Sequence, residues 1–174
     1  MSAGTERRRF PKGRDTRPNA RLVLLGLGSN TDPEKHIPRA IEELTFSFDL
    51  LFKSTRYVGP PEGMDQERAR TAAPYSNVAV LVRTADTYVE LRKTLLAIEE
   101  RLGRDRSTAG VVTIDIDVLL IQGEVVRSQQ GKMIVPHPDL TTKRHAAIPS
   151  AEVAPAMVLP HTGQRIAQIA AELA

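Results

Sequence analysis

The chain has 174 residues, 41% hydrophobic and 26% charged, with a formal charge of +3. This composition suits one domain around one core and excludes a fibre or a helical membrane protein, because a run such as Leu22–Leu27 falls far short of the ~20 residues that span a bilayer. There is no cysteine, which excludes disulfides, cysteine–zinc sites and a thiol nucleophile, and fits a reducing cytoplasm.

The first 21 residues hold seven Lys or Arg against Glu6 and Asp15, so this segment carries +5 and leaves −2 on the rest of a +3 chain. The basicity therefore belongs to the N-terminus, and the body offers no basic face for nucleic acid. Residues 1–20 read as a disordered basic tail without the apolar stretch of a secretory leader, and 21–174 as a single domain.

Arg21–Gly28 reads as a buried strand ended by Gly26-Leu27-Gly28-Ser29-Asn30. Asp32 predicts an N-cap, with Pro33 at the first helical position. Ile37, Ala40, Ile41 and Leu44 form a helical apolar stripe, in which Pro38 predicts a kink or a late start. Phe48–Val58 reads as a second strand, Gly59–Pro74 as a loop and Tyr75–Val82 as a third strand. Thr87 and Glu90 have capping-box spacing ahead of a helix bearing Leu91, Leu95, Ile98 and Leu102 on one face, with Gly103 as its stop. Val111–Leu120 is the clearest strand. A short strand at Glu124–Arg127, an extended segment at Ile134–Leu140 and a helix at Gln164–Leu173 follow. The resulting βαββαβ order predicts a ferredoxin-like α+β domain with an additional C-terminal strand hairpin and helices. That fold hosts many activities, so function has to come from the site.

Thr113-Ile114-Asp115-Ile116-Asp117-Val118 carries the sharpest chemistry. Residues i and i+2 of a strand share a face, so Asp115 and Asp117 stand side by side with Cα atoms ~6.5–7 Å apart. Two carboxylates at that spacing need positive charge between them. Mg²⁺ ions, which complete their shells with water and phosphate oxygens, would supply it, as would nearby arginines on a solvated strand face. Arg104 and Arg106 follow the second helix, where they could grip phosphate oxygens or complement the helix dipole. His137 lies between Pro136 and Pro138, which fix its direction. It suits either a phosphate contact or a structural loop histidine. Tyr75 and Asn77 point the same way at the start of a strand, and an Asn side chain can both donate to and accept from a heterocycle edge.

Taken together, LGLGSN, YVGPPEG, YSNVAV, IEERLGRDR, TIDIDVLL, VPHPDL with Arg144, and AEVAP occur in the order of the 6-hydroxymethyl-7,8-dihydropterin pyrophosphokinase family, which the chain resembles from about Leu22 to Pro160. The resemblance implies transfer of the β,γ-pyrophosphoryl group of ATP to the pterin hydroxymethyl oxygen, with release of AMP. It implies two Mg²⁺ ions on Asp115 and Asp117, and Arg104 and Arg106 on a loop closing over ATP. Glu99 would lie near the ATP ribose, and His137 and Arg144 would contact ATP. Tyr75, Asn77 and Pro60 would form the pterin pocket. It also implies small-molecule substrates, a cytoplasmic monomer or homodimer, and neither membrane nor nucleic-acid partners. The chain departs from the family pattern where Ala109 and Ala146 replace pterin-stacking aromatics and Val112 replaces a phosphate-facing arginine. Those departures suggest a bulkier or modified pterin-like acceptor, or a catalytically weak nucleotide-binding homologue, as alternatives.

Overall fold

The computed structural model describes residues 12–62 and 72–174. Its elements are β1 (Arg21–Ser29), α1 (Pro33–Ser47), β2 (Asp49–Lys53), β3 (Tyr57–Gly59), β4 (Tyr75–Thr84), α2 (Tyr88–Arg101), β5 (Asp115–Ile121), β6 (Val126–Arg127), β7 (Met133–Val135), α3 (Asp139–Thr142), α4 (Arg144–Val153) and α5 (Ile166–Leu173). The main sheet runs β2-β4-β1-β5, with β3 also paired to β4, and a separate ribbon joins β6 to β7. Every ladder of the main sheet is antiparallel. This is the ferredoxin-like α+β arrangement, with β1 and β4 in the middle.

Alternation along the strands explains why the sheet is covered on both faces. Val23, Leu25 and Leu27 of β1 join Val80, Val82 and Ile116 in a core beneath α1 and α2. Leu24, Ala79, Leu81 and Leu119 face the other way, into a second core under α4 and α5. Fully burying each such aliphatic side chain contributes about 1.5–3 kcal/mol. A register shift opposite Leu24/Leu25 lets β5 pass Leu119 out of step. The shift turns Leu120 to the face that Leu119 already shares with Asp115 and Asp117 by alternation, while Ile114, Ile116 and Val118 stay in the first core.

Several expectations change. The boundary placed at Arg21 moves back to Lys12, since Lys12 N–H bonds Thr45 O at 2.7 Å. Asp15 is buried and pairs with Arg17 at 2.5 Å, which holds its carboxyl well below the usual range. The tail expected through residue 20 is thus packed from residue 12 onward, and residues 1–11 lie outside the described residues. Asp32 does stand at the N-cap of α1, but in the left-handed region (φ 45°) and with no capping hydrogen bond from its side chain. Helix α1 starts at Pro33 and runs through Pro38, so the late start does not occur. The second strand divides into β2 and β3, because Ser54–Arg56 leave the strand conformation between them. Strand β5 begins at Asp115 rather than Val111, and helix α4 had no predicted counterpart. Thr87 and Glu90 form the capping box of α2, and Gly103 adopts φ 82° just beyond its end. Among the described residues, no helix is long and apolar enough to cross a membrane.

Candidate active site

A cleft of about 270 Å³ opens on the face of the sheet that carries the acidic pair. Its floor is the middle of the sheet, where Gly26 of β1 pairs with Asp117 of β5 and Gly28 with Asp115. Asn77 of β4 lies on the other side of Gly28. These two pairings set the diacid and the Asn carboxamide on neighbouring strands with a glycine between them. A side chain at Gly28 would come within 3.3 Å of Asn77 Oδ1, so the glycine keeps this passage open. Pro60, Pro61 and Glu62 form one wall. His137, Asp139, His145 and Ala146 form the other.

Asp115 and Asp117 are half-exposed at the cleft, and among the described residues neither carboxylate makes a hydrogen bond. Burial first, and then the charge of Asp115, push the Asp117 carboxyl above its ordinary range, while His137 and Arg92 pull it back. Such a pair fits cations whose remaining ligands come from elsewhere. Among the described residues there is no cage of three or more His, Asp or Glu side chains. The arrangement therefore suits Mg²⁺, which takes one or two carboxylates and fills its shell with water and phosphate oxygens.

His137 is fixed twice. Its N–H bonds Leu119 O at 2.8 Å, and its Nδ1 accepts the N–H of Asp139 at 3.2 Å. With Nδ1 accepting, the neutral ring carries its proton on Nε2 and can donate from there. Tyr75 lines the same cleft, and burial raises its hydroxyl pKa.

Of the residues expected in the site, the cleft gathers Asp115, Asp117, His137, Tyr75, Asn77 and Pro60. Four others stand elsewhere. Glu99 is fully buried in α2, where its Oε1 accepts the N–H of Ile116 at 2.8 Å and its other oxygen holds Arg106. It faces strand β5 and Arg106. Burial raises its pKa. Arg104 donates to Val111 O at 2.7 Å and is not part of the lining, although its charge acts on Tyr75, which is. Arg144 opens α4 on the surface and is likewise absent from the lining.

Ala146 does line the cleft, as does its neighbour His145. The His145 ring occupies the wall, 3.1 Å from Glu62 and 3.8 Å from Asp139. Ala109 and Val112 belong to a segment gripped by Asn30, whose side chain bonds Gly110 O and Val112 N, each at 2.8 Å. Sequence reasoning missed Glu62, His145, Arg92 and the passage role of Gly28. His145 follows directly on Arg144, so a one-residue shift of register would have found it.

An antiparallel α+β sheet that presents two carboxylates without hydrogen bonds and a fixed histidine to a cleft has the groups that a phosphate-transferring enzyme needs for positioning and charge neutralisation. Residues 24–155 match the family described as 7,8-dihydro-6-hydroxymethylpterin-pyrophosphokinase (HPPK). The chain is 30% identical over 155 residues to the 2-amino-4-hydroxy-6-hydroxymethyldihydropteridine pyrophosphokinase of Synechocystis sp., covering 84% of this chain and 73% of the other. It is 34% identical over 142 residues to the enzyme of that name from Methylorubrum extorquens, covering 79% of this chain and 85% of the other. The crystal structure of Plasmodium falciparum HPPK-DHPS with pteroate superposes with a TM-score of 0.66 at 12% identity, a likeness of fold that covers 88% of this chain and 42% of that one. The chain belongs to the HPPK family and is a pyrophosphokinase, that is, a diphosphotransferase.

Proposed function

We propose that the chain transfers the β,γ-pyrophosphoryl group of ATP to the hydroxymethyl oxygen of 6-hydroxymethyl-7,8-dihydropterin. The hydroxyl oxygen bonds to the β-phosphorus, the bond from that phosphorus to the bridging oxygen of the α-phosphate breaks, AMP leaves, and the hydroxyl proton is lost to water. The observation that carries this reading is the pair Asp115 and Asp117, sharing a cleft with Asn77 and free of hydrogen bonds among the described residues.

Phosphoryl transfer asks a protein mainly for positioning and charge neutralisation. Asp115 and Asp117 would hold Mg²⁺, two ions in this reading, and the bound metal would supply positive charge against the phosphates of ATP. The Nε2–H of His137 is directed to donate to a phosphate oxygen, and Nδ1, occupied by Asp139, cannot turn toward it. Arg104 and Arg106, now bonded to Val111 O and Glu99, would exchange these partners for phosphate oxygens. Asn77, backed by Gly28, reads the edge of the pterin, while Pro60 and the His145 wall bound its faces.

The small side chain of Ala146 in the cleft wall favours a second reading, in which the acceptor is bulkier than the standard pterin. An assay for AMP release at millimolar Mg²⁺ and ATP, run across a panel of hydroxymethyl heterocycles, separates the two. The highest kcat/KM with 6-hydroxymethyl-7,8-dihydropterin supports the first reading. A clear preference for a larger ring supports the second, and no AMP with any acceptor defeats both.

A further inference from the structure

Strand β5 is the last strand of the sheet, so every second residue turns its N–H and C=O to an open edge. At Ile116 helix α2 takes both groups. Glu99 Oε1 accepts the N–H at 2.8 Å, and Arg92 Nη1 donates to the carbonyl at 3.0 Å. Arg92 and Glu99 are seven residues apart, which places them on one stripe of the helix. Two side chains thus stand in for a missing strand at a single residue, and its neighbours are Asp115 and Asp117. The same Arg92 nitrogen lies 3.9 Å from Asp117 Oδ1. Arg92 itself does not line the cleft.

We propose that Arg92 is a positioning residue for the diacid. By holding the carbonyl between the two aspartates it fixes the rotation of β5 about its own axis, and with it the separation and aim of the two carboxylates. A guanidinium suits the task because it is always charged, donates from several nitrogens and neither ligates a cation nor gives up its proton. The proposal rests on the reading of Asp115 and Asp117 as cation ligands.

The test measures Mn²⁺ affinity by electron paramagnetic resonance, with a non-hydrolysable ATP analogue present. Amide hydrogen exchange at residues 115–117 and the unfolding temperature are read on the same samples. Arg92→Met is expected to weaken Mn²⁺ binding about tenfold, as losses of groups that support metal ligands commonly do. It should also speed exchange at residues 115–117, and Arg92→Lys should restore most of both. Unchanged or tighter Mn²⁺ binding in Arg92→Met overturns the proposal, because that is the behaviour of a mere competing charge. Equal losses in the Met and Lys variants with a fallen unfolding temperature overturn it in favour of a purely structural role. Asp115→Asn serves as reference: if it too leaves Mn²⁺ affinity intact, the ligand reading fails and takes the proposal with it. If Asp115→Asn weakens binding and Arg92→Met does not, the positioning role alone fails.

Discussion

Glu62 accepts the backbone N–H of His145 at 2.9 Å across 83 residues of chain. Its second oxygen takes the N–H of Arg144 at 3.1 Å. Helix α4 needs this help, because its own N-cap residue, Lys143, has no acceptor and makes no capping bond. Glu62 and His145 both line the cleft, so the contact that caps the helix also ties two lining segments together.

Glu62→Ala should therefore weaken the fold by about 1 kcal/mol, the usual worth of a cap, which corresponds to a fall of about 2–4 °C in unfolding temperature for a chain of this size. Burial works against the charge of Glu62, yet the two N–H groups and His145 hold its pKa below the ordinary value. A carboxylate with a lowered folded pKa contributes stability above the unfolded value, near ~4.3, and loses it as pH falls through the folded one. Thermal unfolding of parent and variant at neutral pH and at successively lower pH checks the sign. The gap between them should narrow on acidification below ~4; a gap independent of pH would mean the carboxylate charge is not involved.

Asp115→Ala and Asp117→Ala should each abolish turnover, by a factor of at least ~10³ for a group that holds the neutralising charge. Neither should unfold the protein. Both side chains are half-exposed and make no hydrogen bond among the described residues, and removing one relieves the repulsion that raises Asp117. Circular dichroism and melting beside the AMP assay check both halves. Near-normal activity in either variant contradicts the ligand role.

Arg106 and Glu99 form a pair in which one partner is half-exposed and the other fully buried. Arg106→Ala leaves a buried carboxylate without its cation, a loss that costs up to about 3–5 kcal/mol where both groups are buried and less here. Burial already raises the pKa of Glu99. An acid with a raised folded pKa destabilises the fold at pH above that value and is relieved as pH falls through it. The stability deficit of Arg106→Ala should accordingly shrink on mild acidification. Glu99→Gln added to it should recover much of the loss, because Gln still accepts the Ile116 N–H. Melting curves for the four members of this cycle test the coupling. Additive losses with no pH dependence would show that the pair does not interact.

The order of elements and the diacid face were legible because both rest on short-range periodicity. Val23, Leu25 and Leu27 alternate with residues of the opposite core, and Asp115 and Asp117 alternate with Ile114 and Ile116. The packing of residues 12–20 and the inward turn of Glu99 were not legible, for one physical reason. Composition cannot show that Asp15 is enclosed by Arg17 and Thr84–Asp86, nor that Glu99 turns inward to an edge strand instead of outward. Both depend on how separate elements pack: Asp15 also takes the N–H of Ala85, and Glu99 that of Ile116. Glu62 and His145 were missed in the same way, since neither has a local pattern and only their meeting gives them a role.

Gly28 and Gly26 both line the cleft floor, yet a methyl group should act differently at each. At Gly28 an added Cβ meets Asn77 Oδ1 at 3.3 Å and Tyr75 Cδ1 at 3.9 Å. The carboxamide has to shift by a few tenths of an ångström, and displacement of a substrate-orienting group costs rate steeply. Gly28→Ala should raise the KM for the acceptor about tenfold and leave the KM for ATP and the melting temperature close to the parent. At Gly26 the added carbon meets Leu119 Cδ1 at 3.0 Å, inside the second core. Gly26→Ala should therefore destabilise by about 1–3 kcal/mol through overpacking, with a smaller effect on the acceptor. Steady-state kinetics in each substrate, with melting curves for both variants, distinguish the cases. If Gly28→Ala leaves acceptor KM unchanged, Asn77 does not read the acceptor ring.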